Sequence, residues 1–227
     1  VYKRQVYRYL LMTYDYSNTL NPNKGLIWRI VHIANLPWIF ANGLHSGNSP
    51  IQSPNWQHIG NPELIQKRAN HPVPVGRQGY LNDYVPFYFT PFSPMLLNIK
   101  SGRGVMQRPM QDIVILVSSI DAVESHHLDY VFTNSHAYYQ WTNFFTDRKD
   151  LDKIDWALLQ RRDFSREPND LAKFERYQAE FLIYQHCPIS AIIGICCYND
   201  NVKQSIQQLI NMSGITLDVH SRPNWYL

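Results

Sequence analysis

The chain has 227 residues, of which 44% are hydrophobic and only 17% charged, which excludes intrinsic disorder and supplies enough apolar material for one sizeable core. A formal net charge of +3 permits a local nucleic-acid patch without demanding one. The cysteines, Cys187, Cys196 and Cys197, are odd in number and show no disulfide or zinc spacing, so buried free thiols in a reducing compartment are expected.

Residues 1–11 read as a non-native leader, with VYKRQ resembling a translated adapter and Met12 expected as the true start of a single domain over 12–227. No apolar run reaches the length that spans a bilayer, and no signal segment is recognisable, so no membrane partner and a cytoplasmic location are expected.

Residues 27–33 (IWRIVHI) read as a strand interrupted by Arg29. Asn35 is placed to cap a short helix over 36–40, with Pro37 in its first turn and Gly43 beyond its end. A loop is expected over 44–59, a short helix over 62–68 ending on Arg68, and a Pro/Gly loop over 71–79. Residues 85–89 read as a strand, 91–94 as a turn, 95–99 as a short helix and 101–109 as a basic loop with Arg103 and Arg108. The run IVILVSS over 113–119 reads as a buried strand, 122–126 as a helix and 130–133 as a strand. Residues 135–145 are aromatic and polar, a helix or an ordered loop; 154–160 read as a helix and 163–170 as a charged loop. AEFLIY over 179–184 has the content of a buried strand. A strand over 189–198, a helix over 202–212 and short strands at 217–220 and 225–227 close the chain. Short strands alternate irregularly with small helices, which is an α+β pattern.

No GxGxxG, Walker, HExxH, CxxC or GxSxG motif occurs, which disfavours Rossmann redox, P-loop and zinc-protease chemistry, and no metal site is expected. Three polar residues stand in apolar settings. Glu180 is a single carboxylate inside a strand-like run, and burying it is costly unless a cation or donor meets it. An edge-strand glutamate facing water has the same local pattern. His32 suits a satisfied structural histidine, and Arg68 suits a cation complementing a helix C-terminus. Arg29 is equally compatible with an exposed strand position. Spacing alone does not bring these residues together.

The blocks IWRIVHIANLPWIFANGLH, IQKRANHPVPV, DYVPFYFTPFSPMLLNI, VFTNSHAYYQWTNFF and RYQAEFLIYQHCP closely resemble the DarT family of DNA ADP-ribosyltransferase toxins, over residues 13–227. HSGNSP and GNPELI resemble its thymidine-modifying branch. The resemblance implies an ADP-ribosyltransferase fold: a split mixed β-sheet with short helices around a cleft for NAD, the ADP-ribose donor, with no metal. It implies Glu180 and Arg68 as catalytic residues. Arg29, Ile30 and Val31, with His32, Asn35 and Arg68, are implied to contact NAD. Some remote members carry His at the position of Arg29, which changes the donor geometry there. The implied partners are single-stranded DNA and an antitoxin macrodomain protein (DarG-like), and the implied role is a toxin that blocks DNA replication.

Departure of nicotinamide leaves an oxocarbenium-like ribose, so a carboxylate such as Glu180 suits the site. Thymine N3 is a poor nucleophile while protonated. Arg68 is implied either to stabilise the thymidinate or pyrophosphate or to take the N3 proton; the first suits a permanently charged guanidinium. The resemblance places His136 in the loop that shapes substrate binding; beside it Tyr138, Tyr139 and Trp141 are suited to bases and Arg103, Arg108, Arg161 and Arg162 to phosphates, although core aromatics and a solvated basic face read the same way. A silent single-strand-binding module, and an ADP-ribosyltransferase with a protein or RNA acceptor, remain open alternatives.

Overall fold

The computed structural model describes residues 15–226; the expected leader and Met12 lie outside them. Its centre is an eight-stranded mixed sheet in the order β10-β9-β4-β1-β3-β7-β5-β6. The strands are β1 (Leu26–His32), β3 (Tyr84–Tyr88), β4 (Ile113–Ser119), β5 (Tyr130–Thr133), β6 (Phe144–Phe145), β7 (Glu180–Tyr184), β9 (Gly194–Cys197) and β10 (Asp218–Ser221). Only β9 and β10 run parallel. A separate pair, β2 (Leu44–His45) and β8 (His186–Cys187), joins the chain after β1 to the end of β7.

The sheet is not evenly zipped. β1 pairs with β4 along its whole length, and β3 with β7 along its whole length, but β1 and β3 meet only where Trp28 faces Tyr88. In that register Pro86 would face Ile30. Proline has no N–H to give a neighbouring strand. The Pro86 carbonyl instead accepts from Arg29 Nη1 at 2.7 Å. The two halves of the sheet therefore part beyond one rung, and a cavity lies in the gap.

Short helices pack around this frame. α1 (Leu36–Asn42) follows β1, and α2 (Pro62–Arg68) begins at Asn61, whose side chain accepts from Leu64 N, with Pro62 in the first turn and Lys67 and Arg68 in the last. α3 (Pro94–Ser101), α4 (Ile120–Ser125), α5 (Trp156–Gln160) and α6 (Lys173–Arg176) are brief. α7 (Asp200–Ser213) is capped by Asn199 and buries Val202, Ile206 and Ile210 at helical spacing. Apolar side chains from β1, β3, β4, β7 and β9 form one continuous core with α1, α3, α4, α5 and α7. Among the described residues no helix is long and apolar enough to cross a membrane.

Several local expectations are corrected. Asn35 does not cap α1: its amide is committed to Gln57, as described below. Of the two readings of 135–145, residues 135–143 take the ordered loop and not the helix, because Ser135 and Thr142 bond to each other and back to the loop, which bends the chain. The expected strand over 189–198 is a 3-10 turn at Ile189–Ala191 and then β9. The closing segment is a 3-10 turn, Pro223–Trp225, since Pro223 and the Tyr226 N–H to Pro223 O bond favour a turn; Leu227 lies outside the described residues. Leu44–His45, expected in a loop, pairs as β2.

Candidate active site

Glu180 opens β7 directly opposite Tyr88 of β3. Its side chain is buried, with the residue 1% exposed, so it is not an edge residue facing water. Arg68 projects from the last turn of α2 and is 8% exposed. The two, 112 residues apart in sequence, form a bidentate pair: Nη1 to Oε1 at 3.0 Å and Nη2 to Oε2 at 2.9 Å. The Ala137 N–H adds a third bond to Oε1 at 2.9 Å. Three donors thus meet the carboxylate, and Oε2 keeps the more open acceptor direction.

The electrostatics follow from that geometry. Burial alone raises the Glu180 proton affinity, but the Arg68 charge, His136 and the hydrogen bonds from Arg68 and Ala137 outweigh it, and the net shift is downward. Burial likewise opposes the Arg68 charge, and Glu180 reverses it to a net upward shift. Both stay ionised at neutral pH. His136 is lowered, by burial first and then by Arg68, against the opposing pull of Glu180. Its Nδ1 accepts from the Tyr138 N–H at 3.2 Å, which assigns the single proton of the neutral ring to Nε2. Tyr88 is pushed up to about 12 by burial and by Glu180, so its hydroxyl is neutral.

These groups line one cavity of about 240 Å³ in the gap between β1 and β3. It gathers Arg29, Ile30, Val31, Asn35, Arg68, His136 and Glu180 from the residues singled out in the sequence. Burial pushes the half-buried Arg29 guanidinium down to about 10, leaving it charged at neutral pH; its Nε has no protein partner. Asn35 lines the wall, but both ends of its amide are engaged: Oδ1 accepts from Gln57 N at 2.8 Å and Nδ2 donates to Gln57 O at 3.0 Å. It pins the wall formed by residues 56–61 to the start of α1.

The remaining candidates stand outside the lining. His32 Nδ1 accepts from the Ala34 N–H, and its Nε2 lies 3.5 Å from Arg108 Nη1. Arg108 also reaches the His58 carbonyl at 3.4 Å, while Arg103 is exposed. Tyr139 and Trp141 stack at 4.7 Å between ring centroids, with Trp141 62% exposed, and Tyr138 packs against His71. Tyr88, Pro86 and Gln178 line the cavity without having been singled out, because each looks like ordinary strand or turn sequence. A larger cavity of about 750 Å³, around His45, Asp83 and His186, contains none of this chemistry. No cluster of three or more His, Cys, Asp or Glu side chains suited to a metal occurs among the described residues.

The family model described as "ssDNA thymidine ADP-ribosyltransferase, DarT" matches residues 28–227. A DNA ADP-ribosyl transferase of Escherichia coli O127:H6 is 61% identical over 216 residues, covering 95% of this chain and 99% of that protein. The solved structure of Thermus sp. 2.9 DarT in complex with ADP-ribosylated ssDNA superposes with a TM-score of 0.83 at 33% identity, over 91% of this chain and 98% of that one. The same protein in complex with NAD+ gives a TM-score of 0.80 at 33% identity, over 91% and 99%.

Proposed function

The chain belongs to the DarT family of ssDNA thymidine ADP-ribosyltransferases, and from that membership we propose that the Arg68–Glu180 pair is its catalytic centre. The chain is an NAD-dependent DNA ADP-ribosyltransferase: it moves ADP-ribose from NAD to thymidine in single-stranded DNA and releases nicotinamide. The observation that carries the residue assignment is a buried, ionised carboxylate and a buried guanidinium held face to face inside a cleft between two half-sheets.

NAD fits the wall chemistry. Arg29 and Arg68 offer cations to the pyrophosphate, and Ile30, Val31, Leu64 and Met95 offer apolar surface to the rings. At about 240 Å³ the cavity is smaller than the ~300–1,000 Å³ common for whole-ligand clefts, so its closed end takes the reacting ribose while the dinucleotide extends over the rim. Glu180 Oε2 accepts from a ribose hydroxyl and sets negative charge beside the anomeric carbon. The glycosidic bond breaks with its electron pair leaving on nicotinamide, and the positive charge developing on the ribose is stabilised by Glu180. Thymine N3 gives its proton to solvent, and the thymidinate nitrogen bonds to that carbon. Arg68, held as a cation by Glu180, stabilises the thymidinate rather than accepting its proton. His136 donates from Nε2 to the acceptor base, and the Tyr139–Trp141 stack receives a neighbouring base. Arg108 and Arg103 meet phosphates at the rim. The strand is unpaired because extruding a base is cheapest there. The protein acts in the cytoplasm as a toxin that blocks replication, and its counterpart is a macrodomain antitoxin that removes the modification.

The test is mass spectrometry of short oligonucleotides after incubation with NAD. One ADP-ribose added to a thymine base, and far slower addition with Glu180→Gln, is expected. Equal labelling of thymine-free strands, or a Glu180→Gln protein of full activity, overturns the assignment.

A further inference from the structure

Behind Glu180 lies a set of buried hydroxyls whose bond directions are forced by proton count. Thr133, at the end of β5, is fully buried. Its Oγ1 accepts from the Glu180 backbone N–H at 3.1 Å and lies 2.6 Å from the Ser135 carbonyl. A hydroxyl has one proton, so Thr133 donates to Ser135 O and accepts from Glu180. Thr142 Oγ1 spends its proton on the His136 carbonyl at 2.8 Å. Ser135 Oγ, 2.6 Å from Thr142 Oγ1, is then the donor in that pair. The result is a brace from the first residue of β7, through Thr133, to the loop 135–142 and across it. That loop supplies both the Ala137 N–H on Glu180 Oε1 and the His136 ring.

We propose that Thr133 is a positioning residue for the transfer reaction: its hydroxyl locks the Glu180 backbone to the 135–142 loop, and so sets where Oε2, the oxygen with the more open acceptor direction, points. The inference rests on Glu180 being the catalytic carboxylate. Thr133 touches neither the ribose nor the base. Without its hydroxyl, a buried Glu180 N–H and the Ser135 carbonyl lose their partner together, and the loop is free to settle at a different distance from the carboxylate. A displacement of about 1 Å at reacting groups costs on the order of 100-fold in rate.

The experiment compares Thr133→Val, which keeps the shape and removes the hydroxyl, with Thr133→Ser, which restores it. Transfer to a thymine oligonucleotide gives kcat, and calorimetry gives the Kd for NAD. Thr133→Val is expected to lose about 10- to 100-fold in kcat while NAD Kd stays within about threefold, and Thr133→Ser to recover kcat to within about threefold. Full kcat in Thr133→Val overturns the proposal, as does a loss that Thr133→Ser fails to restore or that follows weakened NAD binding. If Thr133→Val does not fold, Thr133→Ala, which removes the same hydroxyl, is set against Thr133→Ser and read by the same criteria. Failure of the underlying reading looks different: wild-type protein then adds no ADP-ribose to thymine, or Glu180→Gln leaves the rate unchanged.

Discussion

Removing Glu180 should damage the fold as well as the chemistry, and the two effects are separable. Glu180→Ala leaves the Arg68 guanidinium, 8% exposed, without either of its carboxylate contacts at 3.0 and 2.9 Å. Opposite charges about 4 Å apart at an effective dielectric near 20 attract by about 4 kcal/mol. Deleting one member of a buried pair typically costs about 3–5 kcal/mol, because the other is stranded. Urea unfolding of Glu180→Ala and of Arg68→Ala should therefore each show a loss of about 3–5 kcal/mol. The double variant should lose well under their sum, with a coupling of about 2–3 kcal/mol, because the second truncation removes a group already stranded. Glu180→Gln is the variant that reads the chemistry. Its amide oxygen still accepts from Arg68 or Ala137, but the negative charge facing the ribose is gone, and kcat should fall by about 10²–10³. Additive stability costs in the cycle, or wild-type transfer by Glu180→Gln, would refute the reasoning.

Three further outcomes follow from the geometry. Glu180 has a lower proton affinity in the folded protein than unfolded, so its pair contributes fully above the ordinary carboxyl value of about 4.3 and is lost as pH falls through the lower folded value. Its share of urea-measured stability should be level from pH 7 to about pH 5 and decline below about pH 4; a decline attributable to this group already at pH 6 would contradict the downward shift. Trp141→Ala should weaken single-stranded DNA binding by about 1–3 kcal/mol, roughly 5- to 150-fold by fluorescence anisotropy, with the melting temperature unchanged because the ring is 62% exposed; unaltered affinity would remove it from the interface. Gly43 has φ +75°, and a Cβ there would sit 2.6 Å from the Cys187 carbonyl and from His186 Nε2. Gly43→Ala should lower stability by more than about 1 kcal/mol in a thermal melt, and an unchanged melt would place the β2–β8 junction elsewhere.

The strands that carry the site were legible where composition and burial agree. IVILVSS and AEFLIY are apolar on successive residues, and both are interior strands flanked on each side. α2 was legible from its Pro62 start and basic final turn, and its bounds match those read from the sequence. Glu180 stood out because a carboxylate in such a run needs a partner. The partner did not: Arg68 is contributed by a helix 112 residues away, and only the family resemblance linked the two. Asn35 misled, since an asparagine before Leu-Pro suits a helix cap, whereas its amide pairs with a backbone in a distant loop. Tyr88 and the Ala137 N–H were invisible, the first because a tyrosine in YVPFY reads as core and the second because backbone donors have no sequence signature. The turns at 135–143 depend on hydroxyl bonds between residues seven apart, which no helical or strand period encodes.

The lone rung between β1 and β3 makes Pro86 a spacer. Any other residue there would carry an amide able to knit to the facing strand opposite Ile30, drawing the two half-sheets shut over the space where Arg29, Ile30 and Tyr88 now look inward. A five-membered ring in the cavity wall, with no proton of its own to give, thus keeps the mouth of this protein from sewing itself closed.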